Sequence, residues 1–339
     1  MSATTLYTIT LGIMYFLSSK SVNLKVIPLL LTLLCAACSL NSSVLKDTDI
    51  NELSTVQENT FVNEEPVYFG VLAIDSAVSV NERYGPLIDY LSSEIQRPVE
   101  LVILSQDNQF TKVEEDTLDF ITNNPLAAVQ VQRLYETNFL LTHTRPKTGT
   151  KFSGLIIVDN DSKITKIEDL RGKRAACVNF QTAAAGCTFQ IYHLLQNGFD
   201  PYKDFSSFIE NKSQDNIVLA VLNGKIDAGF IRTGQLEKMV NKGLLTSLDE
   251  VRIIDVAEDN FFYSHTTELY PEWPIAALPD TEPDLVHQVQ AALSKLAPDH
   301  PALAKLKADG FVPAVDYNQL HDLIETLKLK SWDAGNNAR

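Results

Sequence analysis

The sequence predicts an α/β chain of two successive units, each built on a mostly parallel sheet covered on both faces. Two observations predict it. From Pro66 onward, strand-length apolar runs alternate with helix-length apolar stripes, and this rhythm runs through two consecutive stretches of the chain. Several of the strand runs are nearly continuous in apolar residues, as strands buried on both faces require.

In the first unit, residues 67–74 form an apolar run of strand length. Gly85-Pro86 is the expected start of a helix whose Leu87, Leu91 and Ile95 lie four apart on one face. Residues 99–104 and 118–122 are the next strands, and Asn124-Pro125 opens a second helix with proline in its first turn. Strands follow at 139–143 and 153–158. The second unit begins near Gly154, with a short helix and turn over 167–174 and a strand over 174–178. A helix over 182–196 is stopped by Asn197-Gly198. Then come a strand at 204–209, a helix at 215–222, a strand at 226–231, a helix at 234–240 and a strand at 251–256. The chain returns through residues 261–278 to helical stripes near 283–297 and 316–328, which must pack on the first unit.

The first forty residues read as an address. Residues 26–34 are a short apolar run behind Lys20 and Lys25, ending in Cys35-Ala36-Ala37-Cys38, with no acidic residue before Asp47. A basic flank, a short apolar core and small residues before a cleavage point make a secretory signal, too short for a stable membrane-spanning helix. Ala36-Ala37-Cys38 resembles the lipobox of bacterial lipoproteins, which implies lipidation of Cys38; Cys35 stands where that pattern usually has leucine. Cleavage near Ala37 without lipidation is the alternative. A second apolar run over 6–17 fits either a start at Met14 or an uncleaved anchor. Residues 41–65 are rich in Ser, Thr, Asn, Asp and Glu and bury too little to offset their ordering entropy, so a flexible tether is expected.

Charge and motifs exclude several functions. Net charge is -15 for the full chain, and removing 1–37 takes away two lysines and no acid, leaving -17. Such an excess of carboxylates argues against a nucleic-acid partner. No nucleophile elbow, zinc-protease helix or phosphate-cradling loop with lysine occurs, so an enzyme is not expected, and neither a cofactor nor a metal is implied.

Several stretches resemble the phosphonate/phosphite/phosphate-binding proteins of ABC transporters, a branch of the type II periplasmic binding fold. They are 69–72 (Phe-Gly-Val-Leu), 84–91 (Tyr-Gly-Pro-Leu-Ile-Asp-Tyr-Leu), 119–125 (Asp-Phe-Ile-Thr-Asn-Asn-Pro), 167–174, and 221–229 (Val-Leu-Asn-Gly-Lys-Ile-Asp-Ala-Gly). A nearer likeness is to the periplasmic sensing domains of tetrathionate-sensor-type histidine kinases, carried by 230–234 (Phe-Ile-Arg-Thr-Gly), 269–279, 298–301 and 310–313. Those kinases continue into a membrane helix and catalytic domains. A chain of 339 residues with neither is expected to signal through a separate partner, if it signals.

The resemblance implies two lobes joined at a hinge, with crossings near 150 and 258. The expected domains are a signal peptide (1–37), tether (38–65), discontinuous lobe 1 (66–150 plus 259–330), lobe 2 (151–258) and tail (331–339). It also implies a ligand held between the lobes, at carboxyl ends of strands and amino ends of helices. In the loop 179–186, Gln181 and Thr182 stand where the family uses hydroxyls for anionic oxygens, although Ala183, Ala184 and Ala185 replace further hydroxyls; helix capping by Thr182 is the alternative. Arg232 and Thr233 end a buried strand, with a guanidinium suited to an oxyanion or to a salt bridge between lobes. Asn123 and Asn124 occupy the matching strand end in lobe 1, as ligand donors or turn formers. Tyr84 stands where relatives place an aromatic lid, with core packing as its rival; Ser264 and His265 lie by the return crossing, where a hinge role competes with ligand contact. His143, His193, His287, His300 and His321 are read as structural, and Asp227 as a strand-end or turn residue. Cys177 and Cys187 are either buried thiols, a structural disulfide or a redox pair.

The functional expectation is an extracytoplasmic lipoprotein in the cell envelope, on the periplasmic side. It captures a small, oxyanionic solute as a monomer for an ABC permease, or senses one for a membrane kinase.

Overall fold

The computed structural model describes residues 65–74 and 76–329, all within one compact unit. The signal-like segment, Cys35, Cys38, most of the tether and the tail lie outside the described residues. Two sheets organise the rest.

The first sheet opens with β1 (Val67–Leu72), followed by α1 (Ala77–Ile95), β2 (Val99–Leu104), α2 (Gln109–Glu114), β3 (Phe120–Thr122), α3 (Pro125–Tyr135) and β4 (Asn138–Thr144). Helix α1 starts eight residues before the Gly85-Pro86 pair that the sequence marks as its beginning. Ser76 caps it, its hydroxyl accepting from the Ser79 amide at 3.2 Å, and Val80, Tyr84, Leu87, Ile88, Leu91 and Ile95 make one continuous buried stripe. Pro86 sits inside this helix. Gly85 before it has no Cβ to crowd the proline ring, and the space around that position is open, so the apolar stripe outweighs the one lost backbone hydrogen bond. Gln96 stops the helix in the left-handed conformation at φ 55°, two residues ahead of Pro98.

A short strand, β5 (Lys151–Phe152), carries the chain out of the first sheet. The second sheet is then built by β6 (Gly154–Asp159), β7 (Arg174–Cys177), β8 (Ser207–Glu210), β9 (Ala228–Arg232) and β10 (Val251–Ile254). Between them lie α4 (Phe189–Gln196), α5 (Pro201–Asp204), α6 (Gln214–Leu222) and α7 (Gln235–Asn241). The return is made by β11 (Tyr270–Pro271), which pairs antiparallel with β5. After it come β12 (Pro274–Ala277), α8 (Pro283–Ser294), α9 (Pro301–Leu306), β13 (Gly310–Pro313) and α10 (Asn318–Leu327). The paired crossing strands β5 and β11 are the hinge. The Thr266 and Thr267 amides still donate to the Gly154 carbonyl of β6, so the return pairing falls at Tyr270 rather than near residue 258.

Strand order is β13-β4-β12-β3-β1-β2 in the first sheet and β10-β6-β9-β7-β8 in the second. The sequence rhythm overstates parallel pairing. Only β2-β1-β3 and β8-β7-β9 are parallel; β12, β13, β6 and β10 add antiparallel neighbours. The physical reason is the double crossing: strands that enter or return through the hinge run against the βαβ units beside them. Helix α2, helix α9 and strand β13, which the sequence reading did not assign, are too short to show a period.

Each lobe has its own apolar core. Phe69, Val71, Leu87, Leu91, Phe120 and Ile275 centre the first; Ile156, Val158, Cys177, Ile191, Leu194 and Phe230 centre one face of the second. Fully burying one such side chain stabilises by about 1.5–3 kcal/mol. A third cluster bridges the lobes, packing Leu126 and Val129 of α3 and Leu320, Leu323 and Ile324 of α10 on Ala184, Ala185 and Phe189. Phe189 stacks on Tyr270 of the hinge strand at 3.7 Å between ring centroids. Among the described residues no helix is long and apolar enough to cross a membrane.

Candidate functional site

The loops that open α1 and α6 follow parallel strands of the two sheets, and between these two loops lies an interlobe cleft of about 450 Å³. Its walls are Ile74, Ser76 and Ser79 from the start of α1, Lys212 and Ser213 from the start of α6, and Lys242 just beyond α7. Ser213 caps α6 as Ser76 caps α1, its hydroxyl accepting from the Asn216 amide at 3.3 Å. Two helix amino ends thus meet the cleft from opposite lobes, each carrying partial positive charge and unpaired N–H groups. Lys212 and Lys242 add two full charges. Lys212 also reaches across the opening to the lobe 1 carboxylate of Asp107, 3.5 Å away.

The neighbouring strand end of lobe 2 is tied into this wall. The Arg232 amide donates to Gln214 Oε1 at 2.9 Å, directly beside Ser213, and Gln235 in turn donates to Asp215. Arg232 Nη1 donates to the Thr233 carbonyl at 3.1 Å. Beyond it Gly234 adopts φ +75°; a Cβ there would lie 3.6 Å from the Tyr263 ring and 3.8 Å from Arg232 Nη1, so guanidinium and phenol flank the same glycine. Thr233 serves the hinge instead: its amide donates to the Ser153 carbonyl at 2.9 Å and its hydroxyl accepts from the Ser153 amide at 3.2 Å.

At the corresponding strand end of lobe 1, Asn124 caps α3 through Oδ1 and donates from Nδ2 to the Thr182 carbonyl at 2.9 Å. Asn123 donates to Gln109 Oε1 at 3.0 Å, and its own Oδ1 is buried without a hydrogen-bond partner. Thr182 is almost wholly buried, and its hydroxyl donates to Asn179 Oδ1 at 2.9 Å; Gln181 is exposed, and its carbonyl accepts from Gln130 Nε2 at 2.8 Å. The alanines at 183–185 have a physical explanation here: they are buried, and Ala184 and Ala185 pack on α3, where hydroxyls would be stranded. Helix α4 also starts later than residue 182. A π-helical turn over Ala184–Thr188 precedes it, with Gln190 Nε2 sharing its two N–H groups among the Leu155, Ala185 and Ile231 carbonyls at 3.1, 2.8 and 2.9 Å.

Two expectations are corrected outright. Tyr84 is no lid before the first helix: it lies inside α1, 2% exposed, in the lobe 1 core. His265 is equally buried, and both ring nitrogens are engaged, Nε2 at 3.0 Å from Asp259 and Nδ1 at 2.7 Å from the Thr267 carbonyl. It fastens the return crossing, while Ser264 beside it is exposed. Asp259 is held below the usual carboxylate range, first by the Phe261 amide and then by His265. Asp227 accepts from the Arg174 amide and guanidinium at the opposite end of β9 from the cleft, and the hydrogen bond from Arg174 lowers its pKa.

Of the residues singled out from the sequence, Asn124 reaches the opposite lobe, at the Thr182 carbonyl, and Arg232 stands at the end of β9, bonded through its amide to Gln214 beside the cleft. The cleft residues Ser76, Ser79, Lys212, Ser213 and Lys242, and the adjacent Gln214 and Tyr263, were not singled out from the sequence. Ser76 and Ser213 carried the available signal, each standing directly before an apolar helical stripe. Cys177 and Cys187 are joined by a disulfide whose Cα atoms lie 5.0 Å apart. Among the described residues no cluster of His, Cys, Asp and Glu is arranged to hold a metal ion.

Two α/β lobes, two crossing strands and a cleft between strand ends define a type II periplasmic binding protein. Comparison with known proteins agrees. The family described as "ABC transporter, phosphonate, periplasmic substrate-binding protein" matches residues 69–318, and the chain belongs to it. The tetrathionate sensor histidine kinase TtrS of Salmonella typhimurium is 25% identical over 234 residues, which are 66% of this chain and 38% of that protein; the chain therefore spans well under half of that relative. PhnD1 of Prochlorococcus marinus, solved with methylphosphonate, superimposes with a TM-score of 0.65 at 16% identity, covering 78% of this chain and 98% of PhnD1. The binding-protein component of a phosphonate ABC transporter from Pseudomonas aeruginosa gives 0.64 at 18%, covering 82% and 90%. XAC2383 of Xanthomonas citri, solved with ATP, gives 0.64 at 17%, covering 80% and 100%. At such identities the structural likeness speaks for the fold.

Proposed function

We propose that this chain is a lipid-anchored, periplasmic solute-binding protein that captures a small oxyanion between its lobes and delivers it to an ABC permease as a monomer. The observation that carries the ligand class is the convergence of the α1 and α6 amino ends with Lys212 and Lys242 on one cleft. Backbone N–H groups and capping hydroxyls supply short, directional donors for anionic oxygens, and the lysines supply attraction at longer range. Arg232, Asn124 and Gln214 are the nearby side chains we assign to ligand orientation, with Gln181 and Asn123 as second candidates. Hinge bending at β5 and β11 opens and shuts the site.

The test is a thermal-shift panel of phosphate, phosphite, methylphosphonate, sulfite, thiosulfate and tetrathionate. A ligand that binds only the folded form adds about 2.7 kcal/mol at a hundredfold excess over Kd. One oxyanion is expected to raise the midpoint by several degrees. Silence across the panel, with a response to a neutral or cationic solute, would overturn the ligand class. The anchor is tested separately: Cys38→Ser is expected to release the chain from membranes, and a variant that stays membrane-bound removes the lipid.

A sensing role is the second reading, favoured by the stretch shared with the sensor kinase. Here the closed, ligand-bound form docks on a separate membrane kinase. Pull-down from detergent-solubilised envelopes separates the two: transport predicts ligand-dependent recovery of a permease, sensing that of a histidine kinase.

A further inference from the structure

The Cys177–Cys187 disulfide takes no part in the anion reading, yet its place in the fold gives it a task. Cys177 ends β7 and Cys187 lies in the π-helical turn before α4, so the bond closes the loop 178–186 at both ends. That loop is the part of lobe 2 on which α3 of lobe 1 rests. Asn124 donates to the Thr182 carbonyl, Gln130 donates to the Gln181 carbonyl, and Leu126 and Val129 pack on Ala184 and Ala185. Both polar contacts read main-chain carbonyls. Lobe 1 therefore recognises the path of the loop backbone, and whatever fixes that path fixes the contact. Inside the loop, Asn179 Oδ1 accepts from the Gln181 and Thr182 amides and the Thr182 hydroxyl, and the Val178 amide donates to the Gly186 carbonyl. These hydrogen bonds shape the loop; the disulfide holds its two ends together, and closing a loop covalently removes the alternative backbone paths from competition.

We infer that the Cys177–Cys187 pair is a redox-sensitive element of the lobe-to-lobe contact: the disulfide holds the loop in the form that α3 binds, and reduction to the dithiol loosens that contact and with it lobe closure. The reductant is a dithiol. Its thiolate attacks one sulfur to give a mixed disulfide, and its second thiolate displaces the remaining cysteine. Two electrons pass to the pair, Cys177 and Cys187 leave as thiols, and the reductant leaves as a disulfide. Both sulfurs are buried in the lobe 2 core with Ile191 and Phe230, so exchange proceeds through local opening of the loop and is slow in the closed form. The coupling runs both ways: what closes the lobes slows reduction, and reduction weakens closure.

The inference rests on the two-lobed fold and not on the ligand, so its test uses no ligand. Amide hydrogen exchange is followed by mass spectrometry on the full chain, oxidised and after dithiothreitol, with thiol titration to count the reduced cysteines; the Cys177→Ser/Cys187→Ser variant is measured in parallel. Reduction is expected to speed exchange at least threefold both in the loop 178–186 and in residues 125–131 of α3, while the strands of both sheets hold their protection. Faster exchange in the loop with α3 unchanged makes the bond a staple internal to lobe 2 and overturns the inference. A bond that resists dithiothreitol in the folded protein overturns it as well. Should the variant not fold, the reduced wild type gives the result.

Discussion

Lowering the pH from 7 to 4.5 is expected to remove about 3 kcal/mol of folding stability through one side chain, His143. It lies in β4, fully buried, with Nδ1 at 2.9 Å from the Trp273 carbonyl and its ring edge-on to Phe311 at 4.9 Å. Burial, reinforced by the positive charges of Arg145 and Arg83 and only partly opposed by the Trp273 carbonyl, pushes its pKa down to about 3. The folded form therefore binds fewer protons than the unfolded chain, in which the imidazole titrates near 6.5. Stability from this group is fully present above pH 6.5 and is lost as pH falls from there toward 3, approaching about 5 kcal/mol in total at about 1.4 kcal/mol per unit. His321 is also lowered by burial and acts in the same direction. Asp227, lowered from the ordinary 3.8, loses its contribution mainly below that pH and adds little between pH 7 and 4.5. Urea unfolding at pH 7 and 4.5 checks the expectation against His143→Gln, which keeps a donor for Trp273 but does not titrate. The variant is expected to lose much less between the two pH values, whatever its stability at pH 7. Equal losses in both proteins would acquit His143.

Removing both cleft lysines, in Lys212→Ala/Lys242→Ala, is expected to weaken binding of the stabilising oxyanion by ten- to a hundredfold without unfolding the protein. Both side chains are exposed, and neither packs in a core. Their work is electrostatic, so the deficit is expected to shrink between 50 mM and 500 mM salt as screening shortens their reach. Calorimetric titration measures both effects. An affinity that the substitution leaves untouched would place the anion elsewhere.

Much of the fold was legible because its strands are apolar runs and its helices carry stripes. Where the reading slipped, a local rule competed with a longer pattern. Gly85-Pro86 announces a helix start, but the stripe from Val80 to Ile95 runs through it. Parallel strands were over-counted because direction at a crossing is set by topology, which no local residue reports. The site was less legible for a similar reason. Arg232 and Asn124 were singled out from motif positions, whereas Lys212, Ser213 and Lys242 meet Ser76 only when two lobes fold against each other. The alanines at 183–185, puzzling beside a family loop rich in hydroxyls, are accounted for by the α3 surface that covers Ala184 and Ala185. Tyr84 and His265 misled because the same side chains serve equally well in a ligand wall and in a core; only burial separates the two roles.

A crystal structure grown with the oxyanion that raises the melting midpoint bears most directly on the cleft. Density for that anion is expected between Ser76 and Ser213, within hydrogen-bond reach of the first-turn amides of α1 and α6 and with at least one of Lys212 and Lys242 turned toward it. An anion bound on the outer face of either lobe, or a cleft left unoccupied at saturating concentration, would contradict the account.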